Sequence, residues 1–163
     1  MPLVPFDTLP PSARIWVFGS DVPLNGAPAD TLLAEVDRYL DQWKAHGFPL
    51  KAAREWQENR FLVIGIDPTA EQASGCSIDD LFRTLQQIQK TIGAQIVGGG
   101  RVFYRDATGM TQSTTREKFS ALTAEGAIGP HTPVFDTSLT RLDDWTARFE
   151  KPFAESWAVS LNA

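Results

Sequence analysis

The spacing of apolar residues along the first hundred positions is the feature that most constrains the fold of this chain. Two stretches repeat apolar residues every three or four positions, as amphipathic helices do. One contains Leu32, Leu33, Val36, Leu40 and Trp43, and the other contains Ile78, Leu81, Phe82, Leu85, Ile88 and Ile92. Short stretches typical of strands precede, separate and follow them, at residues 14–18, 50–56, 61–66 and 102–104. The predicted order of elements is therefore β-α-β-β-α-β.

This order predicts an α+β protein with a ferredoxin-like arrangement, in which two helices cover one face of an antiparallel sheet. The two most apolar strands, 14–18 and 61–66, are expected at the centre of that sheet. Residues 14–163 are predicted to form one domain, with the ferredoxin-like core at 14–106 and a C-terminal helical extension at 107–163. The four prolines in residues 1–13 indicate an extended N-terminal arm.

Capping residues predict where the two helices end and begin. Gly47 is the expected left-handed stop of the first helix, and Pro49 prevents its continuation. Ser77 and Asp80 match a capping box, in which two side chains satisfy free backbone N–H groups. The second helix is therefore predicted to begin at Ser77, and Gly93 is expected to close it.

Composition excludes several classes of protein. The chain has 163 residues, of which 42% are hydrophobic and 21% charged, as in ordinary globular domains. Its net charge of −5 and its lack of a Lys/Arg cluster argue against a nucleic-acid partner. No apolar run approaches the ~20 residues of a membrane span, and the N-terminus does not match a signal peptide. One cysteine cannot form an intramolecular disulfide, so a cytoplasmic protein is expected.

The glycine pattern argues against a phosphate-binding loop. A Walker loop requires Gly-Lys followed by Ser or Thr, and no glycine in this chain precedes a lysine. The three glycines at 98–100 precede a predicted strand rather than a helix, so they lack the helix N-terminus that holds an anion. They are expected to form a loop joint, and no cofactor is predicted.

The Ser-Gly-Cys-Ser-Ile-Asp sequence at residues 74–79 is the one motif that could carry chemistry. A thiol at Cys76, just before a helix that begins at Ser77, would lie at the positive end of the helix dipole, which favours thiolate. In the predicted topology, the end of the first helix shares a sheet edge with this turn. His46 and Asp67 are therefore expected beside Cys76. The simpler interpretation is a tight turn of small residues, with His46 complementing the end of its own helix.

A thiol, an imidazole and a carboxylate at one edge allow two kinds of chemistry. His46 could take the proton of Cys76 while Asp67 orients the imidazole, as in thiol-dependent enzymes. Alternatively, the three side chains could bind a metal such as zinc, although no CxxC or HxxxH spacing supports a metal site. Ser74, Gly75 and Ser77 are candidate ligand-binding residues around the thiol.

Several segments resemble a group of small, uncharacterised bacterial proteins. They are Trp43-x-x-His46 with Leu50, Arg60-Phe61-x-Val63 leading to Asp67, the motif at 74–79, and Lys151-Pro152 with Ser156-Trp157. Members of the group sometimes carry the label "ABC transporter ATPase", which requires the phosphate loop that this chain lacks. An acidic residue often follows the aspartate in the group, whereas this chain has Pro68. The resemblance implies no known activity and places His46, Asp67 and Cys76 within the motifs of the group.

Two hypotheses about function follow from the sequence. The favoured one is a non-enzymatic domain that binds a partner protein or a small molecule, or that assembles with itself as a homodimer. The alternative is a thiol-dependent enzyme or small-ligand site built on Cys76 with His46 and Asp67. Whether the chain is an enzyme is left open, because a fold does not imply a function.

Overall fold

The computed structural model describes residues 3–162, with side chains for residues 3–161, and shows a mixed α+β protein. Four α-helices and nine strands in three antiparallel sheets lie within this part of the chain. In chain order they are β1 (Arg14–Gly19), α1 (Gly26–Gln42), β2 (Lys44–Ala45), β3 (Phe48–Pro49), β4 (Ala52–Gln57), β5 (Phe61–Ile66), α2 (Gly75–Ile92), β6 (Arg101–Arg105), β7 (Thr111–Thr115), α3 (Arg116–Ala124), β8 (Pro133–Phe135), α4 (Leu142–Arg148) and β9 (Glu150–Pro152). No helix among these is long and apolar enough to cross a membrane.

The first sheet has the strand order β1-β5-β4, with β5 in the middle. Alternate residues of β5 point to opposite faces of the sheet, and all six are buried. Leu62, Ile64 and Ile66 join the core beneath α1 and α2. On the other face, Phe61 packs against the second sheet. The central strand is therefore covered on both faces, whereas the sequence predicted burial on the helix-covered face alone.

The N-terminal arm covers part of that second face. Residues 1 and 2 lie outside the described residues, and Phe6–Thr8 form one turn of 3-10 helix. Leu9 and Ala13 are buried against Ala53 of β4. The described part of the arm thus packs on the domain.

Helix α1 buries one stripe of side chains against the first sheet, namely Ala29, Leu32, Val36 and Leu40. The helix ends at Gln42, so the prediction that it extends to Gly47 is wrong. Residues 44–49 instead form a short hairpin of β2 and β3, with His46 and Gly47 at its tip. Both residues have positive φ angles, 53° and 80°, as a two-residue type I′ hairpin turn requires. This local pairing replaces the last predicted turn of helix.

Helix α2 begins one turn earlier than predicted. Ser74 is its N-cap: the Ser74 hydroxyl accepts a hydrogen bond from Ser77 N–H at 3.1 Å, and Ser77 Oγ accepts one from Ser74 N–H at 2.8 Å. The capping box is therefore formed by two serines, and the predicted box of Ser77 and Asp80 is wrong. Gly93 closes the helix in a left-handed conformation, as predicted.

The second sheet has the order β7-β6-β8-β9, and it accounts for the main error in the predicted topology. Strand β6 was expected as the fourth strand of the ferredoxin-like sheet, but it pairs with β7 and β8 instead. The ferredoxin-like arrangement is thus not confirmed. The predicted C-terminal helical extension also contains three of the four strands of this sheet, besides α3 and α4.

The physical reason lies in how β6 meets β1. The ring of Phe103 lies so close to Gly19 that a Cβ atom added there would be 2.3 Å from it. Strand β6 therefore packs across the face of the first sheet rather than along its edge. The glycines at 98–100, all with positive φ, turn the chain away from the edge just before β6.

Candidate functional site

The structure places Cys76 inside α2, as the second residue after the N-cap, and its side chain is exposed. The neighbouring serines have their hydroxyl groups engaged. Ser74 Oγ and Ser77 Oγ form the capping box, and Ser77 Oγ also donates to Ser74 C=O at 2.8 Å. Gly75 is the first residue of the helix. These candidate ligand-binding residues therefore serve the helix start.

His46 lies at the tip of the β2–β3 hairpin and is exposed, so its expected place at the end of α1 is corrected. The hairpin does lie near the start of α2, because Trp43 Nε1 donates to Ser77 C=O at 2.9 Å just before β2. Within residues 3–161, however, no hydrogen bond or ion pair joins the side chains of His46, Cys76 and Asp67.

Asp67 follows β5 and holds a turn. Its Oδ1 accepts hydrogen bonds from Thr69 N–H at 2.9 Å and from Thr69 Oγ1 at 2.6 Å. Its Oδ2 lies 3.8 Å from Lys51 Nζ. The hydrogen bonds from Thr69, assisted by the positive charge of Lys51, hold the pKa of Asp67 below its ordinary value. This carboxylate is therefore occupied in shaping the loop that leads to α2.

The same part of the chain was the candidate for a metal site. Among the described side chains, no three His, Cys, Asp or Glu residues are grouped closely enough to hold a metal ion.

A different feature opens along the outer edge of β1, where the ferredoxin-like fold has its fourth strand. The N–H and C=O groups of one strand residue point to the same edge, and they alternate from residue to residue. Ser20 N–H bonds inward to Arg60 C=O at 2.8 Å, and Ile15 N–H bonds outward to Thr140 C=O at 3.0 Å. Ile15, Val17 and Gly19 therefore direct their backbone groups outward.

Both ends of this edge are covered: just past Gly19, Asp21 N–H bonds to Gln95 C=O at 3.0 Å. Arg141 pairs with Arg14 as an isolated bridge, and Leu142 N–H bonds to Ala13 C=O at 3.0 Å. Beyond Ile15 N–H, no described residue forms a hydrogen bond with Ile15 C=O, with Val17 N–H or C=O, or with Gly19 N–H. Gly19 C=O has no partner either, so five backbone groups of β1 remain unpaired within residues 3–162.

These groups lie at the floor of a cleft of about 270 Å³, which we call the β1 cleft. One wall is apolar and comes from α2 and the loop after it, with Phe82, Ile96 and Val97. The opposite wall contains Phe103 and Leu139. The volume lies just below the ~300–1,000 Å³ range of typical small-molecule sites. It therefore suits a few side chains better than a large cofactor.

Arg101 is the one charged residue among those that line the β1 cleft. Its Nε donates to Ser113 Oγ at 2.5 Å, and within the described side chains it forms no ion pair. Arg60 lies close enough for the two charges to interact. Burial lowers the pKa of the Arg60 guanidinium, Asp21 opposes this shift, and the charge of Arg101 adds to it. Two guanidinium groups thus lie near the Gly19 end of the cleft, with the Asp21 carboxylate beside Arg60.

Two other places are weaker candidates. The outer edge of β4 is partly closed, since Val4 N–H bonds to Ala52 C=O at one end and the Glu55 carboxylate accepts from Trp56 N–H near the other. A groove of about 520 Å³ on the second sheet contains two cations and two carboxylates. It is lined by Val134, Asp136, Ala147, Arg148, Lys151, Glu155, Ser156 and Trp157.

The sequence did not point to the β1 cleft. Residues 14–18 were expected to be a central strand with partners on both sides, and the glycines at 98–100 were expected to be a joint. The cleft exists because β6 leaves that edge, which depends on contacts between residues far apart in the chain. No local signal could have found it.

Comparisons with family models, with curated proteins and with solved structures find no match to this chain. The resemblance to the group of small bacterial proteins therefore stays a prediction.

Proposed function

We propose that this chain is a non-enzymatic binding domain that takes an extended segment of another polypeptide along the open edge of β1. The observation that supports this most is the row of five unpaired backbone groups at the floor of the β1 cleft. An added strand would satisfy these groups through main-chain hydrogen bonds, a recurring mode of peptide recognition.

The size of the opening suits a short segment. The free part of the edge runs from Trp16 to Gly19, or roughly 13 Å at about 3.3 Å per residue. Each backbone hydrogen bond contributes on the order of 0.5–1.5 kcal/mol. Up to five such bonds and the apolar walls together would support binding of a peptide of four to six residues.

Self-assembly through two β1 edges is disfavoured by the shape of the site. The edge lies between the loop at 95–99 and the segment at 137–140, which form the two sides of the cleft. A second copy would present an equally recessed β1, so the two edges could not approach to the ~4.8 Å spacing of paired strands. A slim extended segment meets no such obstacle.

The thiol-dependent alternative is the weaker proposal. Cys76 is exposed at the positive end of α2, but its expected partners have other roles. His46 lies at the tip of a hairpin, and the Asp67 carboxylate accepts a hydrogen bond from Thr69. A nucleophile needs an adjacent base within hydrogen-bond reach, and none of the contacts found here supplies one.

The test is binding of a library of acetylated and amidated hexapeptides, with and without a variant of β1. Val17→Pro removes the outward N–H, and edge strands accept proline at such positions. Val17→Thr is the matched control, because it keeps the N–H and nearly the same shape. We expect selected peptides to bind wild type and Val17→Thr alike and to bind Val17→Pro at least tenfold more weakly.

N-methylation of the peptide provides a check that does not depend on the folding of any variant. A methyl group on the amides that face β1 should abolish binding, whereas a methyl group on the alternate amides should be tolerated. Peptides that bind equally well with either set methylated, or a library with no binders, would overturn the proposal.

A further inference from the structure

Building on the proposed function, we infer that the segment in the β1 cleft carries an acidic side chain that pairs with Arg101. The cleft is otherwise lined by neutral residues, and no carboxylate is among them. An occupant with one Asp or Glu would therefore balance the positive charge of Arg101.

The position of Arg101 in β6 directs it toward the cleft. Side chains at alternate positions of a strand share a face. Phe103, two residues after Arg101, packs against Phe61 of the first sheet with ring centroids 5.1 Å apart. Val102, between them, belongs to the separate core under α3. Arg101 thus lies on the face of β6 that meets the first sheet, at the Gly19 end of β1.

The guanidinium has hydrogen-bonding capacity to spare. Its Nε is held by Ser113, and within the described residues its two Nη atoms make no hydrogen bond. These atoms can donate together to one carboxylate, which is the strong, bidentate geometry of arginine recognition. Since Ser113 restrains the side chain, less freedom is lost on binding.

The neighbouring Arg60 adds to the preference for an anion. Arg60 is 5% exposed and donates from Nε to Thr111 C=O and from Nη1 to Ser20 C=O, so its guanidinium is held by carbonyl groups and, within the described residues, forms no hydrogen bond with a carboxylate. This buried cation adds a second positive charge at this end of the cleft, and the Asp21 carboxylate, which accepts from Gln95 N–H at 2.9 Å, offsets part of it.

The walls determine where in the segment the acid belongs. Side chains on one face of the added strand would meet Phe82, Ile96 and Val97, which are apolar. The acidic residue belongs on the opposite face of the added strand, on the same side of the sheet as the Val17 side chain. Its place is at the end of the segment nearest Gly19. The remaining positions on both faces should prefer apolar residues.

The experiment uses the full chain and the same hexapeptide library, with both ends blocked so that the only carboxylates are side chains. We expect the selected peptides to contain Glu or Asp at one position, and Glu→Gln there to weaken binding about tenfold, as loss of a charged hydrogen bond predicts. In the Arg101→Gln variant, the Glu and Gln peptides should bind equally. Arg83→Gln, which removes an exposed charge of α2 that does not line the cleft, is the matched control and should keep the tenfold difference.

The outcomes separate the two proposals. If peptides bind in a Val17-dependent way but Glu and Gln peptides do not differ, the acidic preference is wrong and the binding domain stands. If a second arm with free C-termini binds better without any acidic side chain, a chain terminus rather than a side chain meets Arg101, which also overturns the inference. If no peptide binds in any arm, both proposals fail.

Discussion

At the scale of single residues, side chains that the sequence suggested as catalytic or ligand-binding form hydrogen bonds that hold the backbone. The carboxylate of Asp67 accepts two hydrogen bonds from Thr69 and lies near Lys51. Ser74 and Ser77 satisfy each other's backbone N–H groups. Conversely, Arg101 precedes the predicted strand at 102–104 and was not a candidate site residue, yet it is the one charge in the β1 cleft.

Asp67 gives a prediction about pH. Thr69 and Lys51 lower the pKa of Asp67 in the folded protein below its unfolded value of about 3.9. At pH values above about 3.9, the ionised carboxylate therefore stabilises the fold. That contribution is lost as the pH falls through the lower, folded value. We expect Asp67→Asn to lower the free energy of unfolding by about 1 kcal/mol at pH 7, with a smaller difference at pH 3.

Urea denaturation at pH 7, 4 and 3 measures this difference. Asp7→Asn serves as the control, since Asp7 is exposed and its carboxylate accepts no hydrogen bond from the described residues. A difference for Asp67→Asn that stays constant down to pH 3 would show that the charge is not what holds the turn.

At the scale of elements, the ends of the helices depend on local turns whose geometry competes with helix. The first helix has apolar spacing that continues to Trp43, but the chain leaves the helix there. Trp43 is buried and donates to Ser77 C=O. Residues 44–49 then form the β2–β3 hairpin, which turns at His46 and Gly47. The start of α2 likewise depends on the capping box in which Ser74 and Ser77 accept from each other's N–H groups.

Two glycines near these ends predict opposite effects on stability. Gly47 has a φ of 80°, where a Cβ costs roughly 1–2 kcal/mol, so Gly47→Ala should destabilise the protein by about 1 kcal/mol. Gly75 is the first residue of α2, and a Cβ there would meet no atom within 4 Å. Gly75→Ala should therefore stabilise the protein by about 0.5–1 kcal/mol through helix propensity.

Thermal and urea unfolding of both variants tests this pair, each glycine acting as the other's control. A stabilising Gly47→Ala would mean that the hairpin turn does not have positive φ. A destabilising Gly75→Ala would mean that α2 does not begin at this residue.

At the scale of the whole molecule, a cluster of four phenylalanines joins the two sheets. Phe61 of the first sheet packs against Phe103, Phe135 and Phe149, with ring centroids 5.1, 4.9 and 4.9 Å away. Phe61 is fully buried within this cluster. Because β6 is held face to face with the first sheet by these rings, the same cluster keeps the edge of β1 open.

Removing the Phe61 ring should therefore weaken the contact between the sheets. We expect Phe61→Ala to lower the free energy of unfolding by about 3–5 kcal/mol, the usual cost of a buried phenylalanine. Phe48→Ala is the control, because Phe48 is 61% exposed and should change stability by less than about 0.5 kcal/mol. Equal effects of the two substitutions in urea denaturation would contradict the joining role of the cluster.

Much of the secondary structure was predictable because it depends on nearby residues. The apolar spacing of 78–92 identified the face of α2 that packs on the sheet, and the run at 61–66 identified β5 to the residue. The predicted α+β class is confirmed in its coarse form. The end of α1 was missed because the hairpin at 44–49 replaces its last predicted turn, and the start of α2 was missed because Ser74 and Ser77 can each cap a helix.

What the sequence by itself determined is therefore the presence of α1, α2, β1, β4, β5 and β6 and the apolar side of each helix. It missed the β2–β3 hairpin, β7 and β9. Only the tertiary structure decided that β6 joins a second sheet, that His46 lies on a hairpin, and that β1 keeps an open edge above Arg101. The physical reason is that spacing reports which face of an element seeks burial, but not which distant element will cover it. Here the Phe103 ring packs closely against Gly19, and no local sequence pattern predicts a contact between residues 84 positions apart.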